Sequence, residues 1–172
     1  MTTAGGTDNF GPAGTIFSYD IAAAILNVLY VFTQFGTYQQ GSLMQASNGK
    51  LYGMTEQGGP GLFGTIFSFN PVGGAYNVIH AFNNNNGSAP KGNLIQASNG
   101  KLYGMTATGG INGFGTAFSF DLTGGHSTLL HFNGSNGKKP YGSFVQAVNG
   151  KLYGLTSEGG SLGFGNAFSF FR

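Results

Sequence analysis

The sequence contains no cysteine, which excludes a disulfide framework and any metal site built on thiolate ligands. Charge is also scarce, because Asp, Glu, Lys and Arg make up 7% of the 172 residues, against roughly 25% in an average soluble protein. The formal net charge is +2, and Lys138 and Lys139 form the only adjacent cationic pair. The sequence has no basic stripe, so nucleic acid is not an expected partner.

Long hydrophobic runs are missing too. The longest extends from Ile21 to Phe32 and is interrupted by Asn27, so it is shorter than the roughly 20 residues that a membrane-spanning helix needs. No basic segment followed by an apolar segment precedes Gly5, and we therefore expect neither a membrane span nor a secretion signal in this chain.

What the sequence does contain is a repeat. The octapeptide Asn-Gly-Lys-Leu-Tyr-Gly-Met-Thr at residues 99–106 recurs at 48–55 and, with one change, at 149–156. The spacing is 51 residues from Leu51 to Leu102 and 50 residues from Leu102 to Leu152. Because Asn-Gly between two apolar runs favours a two-residue hairpin loop, each copy predicts a β-hairpin with a type I′ turn.

The repeat predicts the fold class. In the most regular unit we expect four strands, at residues 93–97, 102–106, 116–121 and 127–132, separated by loops rich in Gly, Asn, Pro and Ser. Four short antiparallel strands per roughly 50 residues are typical of a β-propeller blade. The prediction is therefore an all-β fold of tandem four-stranded antiparallel blades. A β-sandwich with coincidental turns is the alternative, and the fixed period disfavours it.

The repeats form one predicted domain over residues 1–172, with about three and a third units: a partial repeat 1–53, repeats 54–104 and 105–154, and a partial repeat 155–172. Met1-Thr2 and Gly5-Gly6 match Met54-Thr55 and Gly58-Gly59, so the chain starts inside a repeat. Closed propellers typically have four to eight blades. One copy of this chain is therefore not expected to close a ring.

The motifs of the unit resemble a known repeat. They are Leu-Tyr-Gly-Met-Thr at 102–106, Gly109-Gly110, Gly-Thr-Ala-Phe-Ser-Phe at 115–120, His131-Phe132 and Pro140. Together they are similar to the Gloeo/Verruco repeat of tandem-repeat proteins with varied surface anchors. The resemblance covers essentially the whole chain and implies a β-propeller-like fold and an extracellular or cell-surface location, without implying an activity.

The ends of the array suggest a function. An open array leaves unpaired backbone groups at its first and last strands, and these groups can pair with another chain. We therefore predict a non-enzymatic structural protein whose partners are copies of itself, joined head-to-tail into a ring or a fibre. The expected contact residues are Ile25, Leu26, Val28, Leu29 and Phe32 at one end and Phe168, Phe170 and Phe171 at the other. The alternative for the first segment is ordinary blade core.

A glycan-binding module is the second functional hypothesis. Tyr52, Tyr103 and Tyr153 recur at one repeat position, and aromatic rings on a neutral surface suit a polysaccharide ligand. Their position just inside a strand favours core packing over glycan binding.

The sequence offers little for catalysis. The five carboxylates are Asp8, Asp20, Glu56, Asp121 and Glu158, and we assign them to loops. His80 and His131 are interpreted as equivalent, with Tyr30 in the first repeat and no counterpart for His126. Two imidazoles on adjacent blades could bind a metal, but their position in a strand between apolar residues favours core packing. Gly109, Gly110 and Gly115 precede a strand, whereas a phosphate-binding loop leads into a helix. No catalytic residue, cofactor or metal is predicted.

Overall fold

The computed structural model describes residues 14–32 and 36–171, and every regular element within these ranges is a β-strand. No helix in the described ranges has the length and apolarity needed to cross a membrane. The strands are β1 (Thr15–Asp20), β2 (Ile25–Val31), β3 (Gly36–Thr37), β4 (Met44–Gln45), β5 (Leu51–Thr55), β6 (Gln57–Gly58), β7 (Thr65–Phe69), β8 (Tyr76–Ala81), β9 (Ile95–Gln96), β10 (Leu102–Thr106), β11 (Thr116–Phe120), β12 (His126–His131), β13 (Val145–Gln146), β14 (Leu152–Leu155) and β15 (Ala167–Phe170).

These strands form successive antiparallel meanders. Blade 1 has the order β4-β5-β7-β8 and blade 2 the order β9-β10-β11-β12, while blade 3 contains β13-β14-β15. The hairpin β1-β2, which we call the half-blade, precedes them, and β3 and β6 form a small additional pair. The predicted all-β fold of small antiparallel sheets is confirmed, and the four strands of the most regular unit are those of blade 2.

The predicted repeat boundaries fall inside sheets. Residues 53/54, 104/105 and 154/155 lie within β5, β10 and β14, each the second strand of its blade. The boundaries therefore follow the period of the sequence but do not coincide with the ends of the sheets. The division of residues 1–172 into one domain of such units stays a prediction. Met1-Thr2 and Gly5-Gly6 lie outside the described residues.

The predicted type I′ turn is wrong. Gly100 has φ +80°, but Asn99 does not have a positive φ. The Gly100 N–H donates to Ala97 O (2.8 Å), and the Ala97 N–H donates to Lys101 O (3.0 Å). This is the three-residue loop in which a type I turn is followed by a left-handed glycine. Asn99 keeps a negative φ while its Oδ1 accepts the Lys101 N–H (3.1 Å).

Hydrophobic clusters lie between successive sheets. We call the face of each sheet that meets the preceding sheet its leading face, and the opposite one its trailing face. Ile16 and Phe32 of the half-blade pack on Phe67 and Phe69 of blade 1. Two further clusters join blade 1 to blade 2 and blade 2 to blade 3. Blades 1 and 2 are thus covered on both faces, which explains why their strands carry successive apolar residues.

One glycine of the repeated octapeptide is required by this packing. Gly104 lies directly opposite Phe118 in the β10-β11 pair, and a Cβ on Gly104 would come within 2.6 Å of Cζ of Phe118. Gly53 faces Phe67 and Gly154 faces Phe168 in the same way. The absent side chain lets each phenylalanine ring lie across the neighbouring strand.

Candidate functional site

The candidate site consists of two sheet faces at opposite ends of the array, each of which no other sheet of the described residues covers; we call them the uncovered faces. The first is the trailing face of blade 3, where Val145 is 61% exposed and Leu155 is 64% exposed. Met105, the counterpart of Leu155 in blade 2, is 1% exposed because blade 3 covers it. This face carries a depression of about 350 Å³ lined by Ser143, Val145, Tyr153, Gly154, Leu155 and Ala167.

The second uncovered face belongs to the half-blade. Tyr19 is 53% exposed, and Leu26 and Val28 are each 56% exposed. Tyr19 and Leu26 face each other across β1-β2, as Phe69 and Tyr76 do in blade 1. Phe69 is fully buried under the half-blade. Side chains at this position therefore become buried wherever a preceding sheet covers them.

The predicted contact residues divide into two groups. Ile25, Leu26, Val28 and Leu29 are exposed on the half-blade, and Phe171 is exposed after β15. Phe32 is not available, because its ring is completely buried against Phe67 and Tyr76.

The side chains of Phe168 and Phe170 also make their contacts within the chain. Both pack into the cluster between blades 2 and 3, where the Phe168 ring contacts those of Phe132 and Phe144. Their side chains point to the leading face, so only the backbone edge of β15 is left for a further strand. For Phe171, Lys151 Nζ lies 4.0 Å from the ring centroid.

Polar contacts fix each blade to the next. The Ser47 N–H donates to Gln96 Oε1 (2.7 Å), and the Ser98 N–H donates to Gln146 Oε1 (3.0 Å). Closer to the start of each blade, the Ser42 N–H donates to Asn93 Oδ1 (2.5 Å) and the Asn93 N–H to Ser143 Oγ (2.7 Å). We call these bonds the inter-blade ladder. They recur once per repeat and set the spacing of the blades.

Glycine backbones meet beside the ladder. A Cβ on Gly92 would overlap the carbonyl oxygen of Gly142, and one on Gly41 would lie 2.6 Å from the carbonyl oxygen of Gly92. Gly142 has open space where a Cβ would stand. The described residues thus contain no blade beyond blade 3 that approaches this glycine.

Stacked rings join the fourth strands. Tyr30 stacks on Tyr76 with centroids 4.3 Å apart, and His80 stacks on His126 at the same distance. Burial raises the pKa of Tyr76 above the ordinary tyrosine value.

Both imidazoles are neutral at pH 7. Burial lowers the pKa of His80, and burial together with the charge of His80 lowers the pKa of His126 to about 4. Asn86 Nδ2 lies 3.2 Å from His80 Nε2, while Nε2 of His126 has no hydrogen-bond partner in the described part of the chain. The pair is therefore a packed contact between blades.

The interpretation of His80 and His131 as equivalent is wrong. His80 pairs with Ile66, whereas His131 pairs with Thr116 and Leu130 occupies the position of His80. The cause is a loop-length difference, because six residues (70–75) connect β7 to β8 and five residues (121–125) connect β11 to β12. His126 does have a counterpart. Because of the shorter loop, His126 occupies the position in blade 2 that Tyr76 occupies in blade 1.

Two of the three tyrosines proposed for glycan binding lie between blades. Tyr52 is 2% exposed and Tyr103 is 5% exposed, and their hydroxyls accept hydrogen bonds from Asn48 and Asn99 Nδ2 (2.9 and 2.8 Å). Core packing, the alternative, is what the structure shows for these two. Tyr153 is partly exposed because it lies on the uncovered trailing face of blade 3.

Each of the four Asp and Glu side chains among the described residues has a local partner. Asp20 accepts the backbone N–H groups of Ala22 and Ala23. Asp121 accepts from Thr123, which lowers the pKa of its carboxyl.

The two glutamates form ion pairs. Glu56 pairs with Lys91 at 3.0 Å, and Glu158 pairs with Lys138 and Lys139 at 2.9 and 2.7 Å. Hydrogen bonds from these lysines lower the pKa of Glu158. Asp8 lies outside the described residues. Within the described ranges, no three His, Asp or Glu side chains are grouped closely enough to hold a metal ion.

Comparison with known proteins supports the repeat and the fold. The model of the Gloeobacter/Verrucomicrobia repeat matches residues 1–170. A search of curated proteins gives no match.

The solved structures that are similar to this chain include the following three. Two are described as extracellular domains of a hybrid two-component and a one-component system from B. thetaiotaomicron, both with a TM-score of 0.62, at 14% and 12% identity, over 86% and 94% of this chain. The third is a periplasmic gluconolactonase of Pseudomonas aeruginosa, with a TM-score of 0.52 and 15% identity over 82% of this chain. This chain spans 18%, 19% and 42% of their lengths, in that order.

Proposed function

The chain belongs to the Gloeobacter/Verrucomicrobia repeat family, and we propose that it is a non-enzymatic, extracellular structural protein that associates head-to-tail with copies of itself. The observation that carries this proposal is the pair of uncovered apolar faces at opposite ends of one array. Each corresponds by repeat position to a surface that is buried between blades elsewhere in the chain. A second copy can therefore cover both with contacts that the fold already uses.

Strand pairing supports the same arrangement. Blade 3 has three strands in the described residues, with β15 at its edge, whereas blades 1 and 2 have four. The half-blade offers β2, which corresponds to the fourth strand of a blade. Main-chain hydrogen bonds between an added strand and an open sheet edge are a common mode of association, and few charges are present to oppose it.

A structural role is supported by the state of the polar side chains. Glu56 and Glu158 are held by lysines, Asp121 is held by Thr123, and His80 and His126 are packed on each other. Catalysis would need acids and bases that converge on a substrate, and these groups are instead used in the repeat. The proposed extracellular location is supported by the family resemblance and by the extracellular and periplasmic origin of the similar structures.

Electron microscopy and light scattering of the purified protein test this function. We expect particles with at least twice the mass of one 17.8 kDa chain, seen as rings or fibres, with no ligand added. A ring forms if the rotation between neighbours divides a full turn, and a filament forms otherwise. Light scattering that shows single chains at high concentration would contradict self-association.

The second candidate function is the binding of a polysaccharide. The observation in its favour is the partly exposed ring of Tyr153 beside an apolar depression on a nearly uncharged surface. Retention of single chains on an immobilised polysaccharide, lost in Tyr153→Ala, would support this function over self-association.

A further inference from the structure

The strand β1 occupies a position that β15 of a second copy also fits. β1 pairs with β2 in the register that β7 uses with β8 and β11 with β12, so β1 is a third strand and β2 is a fourth. β15 is also a third strand, since it pairs with β14 as β11 pairs with β10. The edge of β2 that a third strand uses is thus already occupied by β1 within one copy, and no strand of the described residues pairs with the edge of β15 that a fourth strand uses.

The stacked pairs on the fourth strands indicate which residues would meet. A residue on the trailing face of one fourth strand contacts a residue on the leading face of the next, giving Tyr30 on Tyr76 and His80 on His126. The next trailing residue in this series is Leu130, and the leading position of the half-blade is held by Leu26. A second copy whose β2 follows β15 would place its Leu26 on Leu130. The series would then contain Tyr with Tyr, His with His and Leu with Leu.

The inter-blade ladder continues in the same way. Ser42 and Gln45 of blade 1 occupy the positions of Ser143 and Gln146, which accept from the preceding blade. They are exposed in a single copy. Placed after blade 3, Ser42 of a second copy would accept the Ser143 N–H and its Gln45 the Val148 N–H. Gly41 of that copy would then meet Gly142, as Gly142 meets Gly92 within the chain.

We propose that copies join by strand exchange, in which β15 of one copy displaces β1 from β2 of the next. This rests on the proposed self-association and specifies its contact. The composite blade contains β13, β14 and β15 of one copy and β2 of the other, and blade 1 of the second copy covers its trailing face. Each copy then contributes three blades, so two copies give about six, within the range of four to eight for closed propellers.

The register of the composite blade follows from blade 2. There Phe120 faces His126 and Ser119 faces Ser127, so Phe170 would face Leu26, and Ser169 would face Asn27, of a second copy. Within one copy the same two β2 residues face Tyr19 and Ser18. Exchange therefore replaces the contact between residues 18 and 27 by a contact between residues 169 and 27 across two copies.

The absence of cysteine makes this exchange directly testable by disulfide formation. Ser18→Cys with Asn27→Cys would lock β1 on β2 in one chain, and Ser169→Cys with Asn27→Cys would link two chains. All three side chains are exposed in a single copy, so the fold tolerates the changes, and circular dichroism verifies this. Facing residues in an antiparallel pair alternate between wide and close Cα spacing, so a second position is tested as well. For this position, Tyr19→Cys with Leu26→Cys is the variant within one chain, and Leu26→Cys with Phe170→Cys is the variant between two chains.

Exchange predicts that oxidation links chains in the second type of variant, seen as multiples of one chain on a non-reducing gel. In light scattering, the oxidised variant with Ser18→Cys and Asn27→Cys should have the mass of a single chain, at least twofold lower than that of the parent. Reduction of its disulfide should restore the parental mass. Locked chains that associate like the parent, with no interchain link although the intrachain pair closes, would overturn exchange and leave self-association intact. A parent that is monomeric would instead remove the proposed function itself.

Discussion

The imidazole ring of His80 in blade 1 lies parallel to that of His126 in blade 2, with centroids 4.3 Å apart and an angle of 2° between the planes. The two residues are 46 positions apart in the sequence. Tyr30 and Tyr76 form the same contact one interface earlier, inclined by 14°. The position is therefore a fixed contact of neighbouring blades, filled by a different pair of rings in each interface.

Acid should weaken the interface that contains the histidine pair. The pKa of His126 is lowered to about 4 and that of His80 is also lowered, mainly by burial, whereas an unfolded histidine titrates near 6.5. The folded chain thus binds fewer protons, so its stability is full above about pH 6.5 and falls as the pH drops from 6.5 towards 4. We expect a loss of about 1–2 kcal/mol over this range, discounted for partial exposure, measured by urea unfolding at each pH.

The matched control for this prediction is the double variant His80→Tyr with His126→Tyr. It places the ring pair of Tyr30 and Tyr76 in the second interface, and neither ring titrates between pH 4 and 6.5. Its unfolding midpoint should fall less than that of the parent over that range, and the remaining fall comes from carboxylates such as Glu158, whose pKa is lowered in the folded chain. Equal acid sensitivity in the parent and the double variant would assign the effect to other groups.

Replacing Gly104 by alanine should destabilise the chain by about 1–3 kcal/mol, as overpacking does in a filled core. The added Cβ would come within 2.6 Å of the Phe118 ring, which is completely buried and cannot move outward. Thermal unfolding gives the measurement. Gly125→Ala is the control, since its Cβ would make only an ordinary contact of 3.6 Å with Asp121; equal losses in both variants would show that the Phe118 contact is not the cause.

Replacing Gly100 by valine should also destabilise the fold, for a different reason. A Cβ there would touch no described residue within 4 Å, but φ is +80°, and left-handed backbone costs a residue with a Cβ about 1–2 kcal/mol. Gly100→Asn should cost less, because asparagine tolerates this conformation. Lys101→Ala, beside it, should change the free energy of unfolding by less than about 0.5 kcal/mol. An equal loss of unfolding free energy in Gly100→Val and Gly100→Asn, measured by chemical denaturation, would contradict the left-handed turn.

Replacing Gly142 by alanine should separate folding from association. No atom of the described residues lies within 4 Å of the position that an added Cβ would take in one copy, so the unfolding midpoint at low concentration should equal that of the parent. Self-association should weaken severalfold, because Gly41 of a second copy would approach this backbone. Sedimentation at several concentrations measures it. The opposite case is Gly92→Ala, whose Cβ would overlap the Gly142 carbonyl within the chain, so this variant should lose stability at every concentration.

The sequence by itself determined the period, the all-β class and the strands of the unit. These are local properties, since an Asn-Gly loop between apolar runs favours a hairpin and a spacing of about 50 residues reports one blade. It also indicated that Ile25, Leu26, Val28 and Leu29 form an apolar surface, which the structure shows to be exposed.

Only the tertiary structure decided which face each side chain joins and what covers it. The recurring Tyr52 and Tyr103 are buried, and Tyr153 is partly exposed, because a following sheet covers the first two. The one-residue difference between loops 70–75 and 121–125 moved His131 away from the position of His80. Side chains alternate across a strand, so a shift of a single residue transfers a side chain to the opposite face, and the neighbour it meets there is about 50 positions away along the chain.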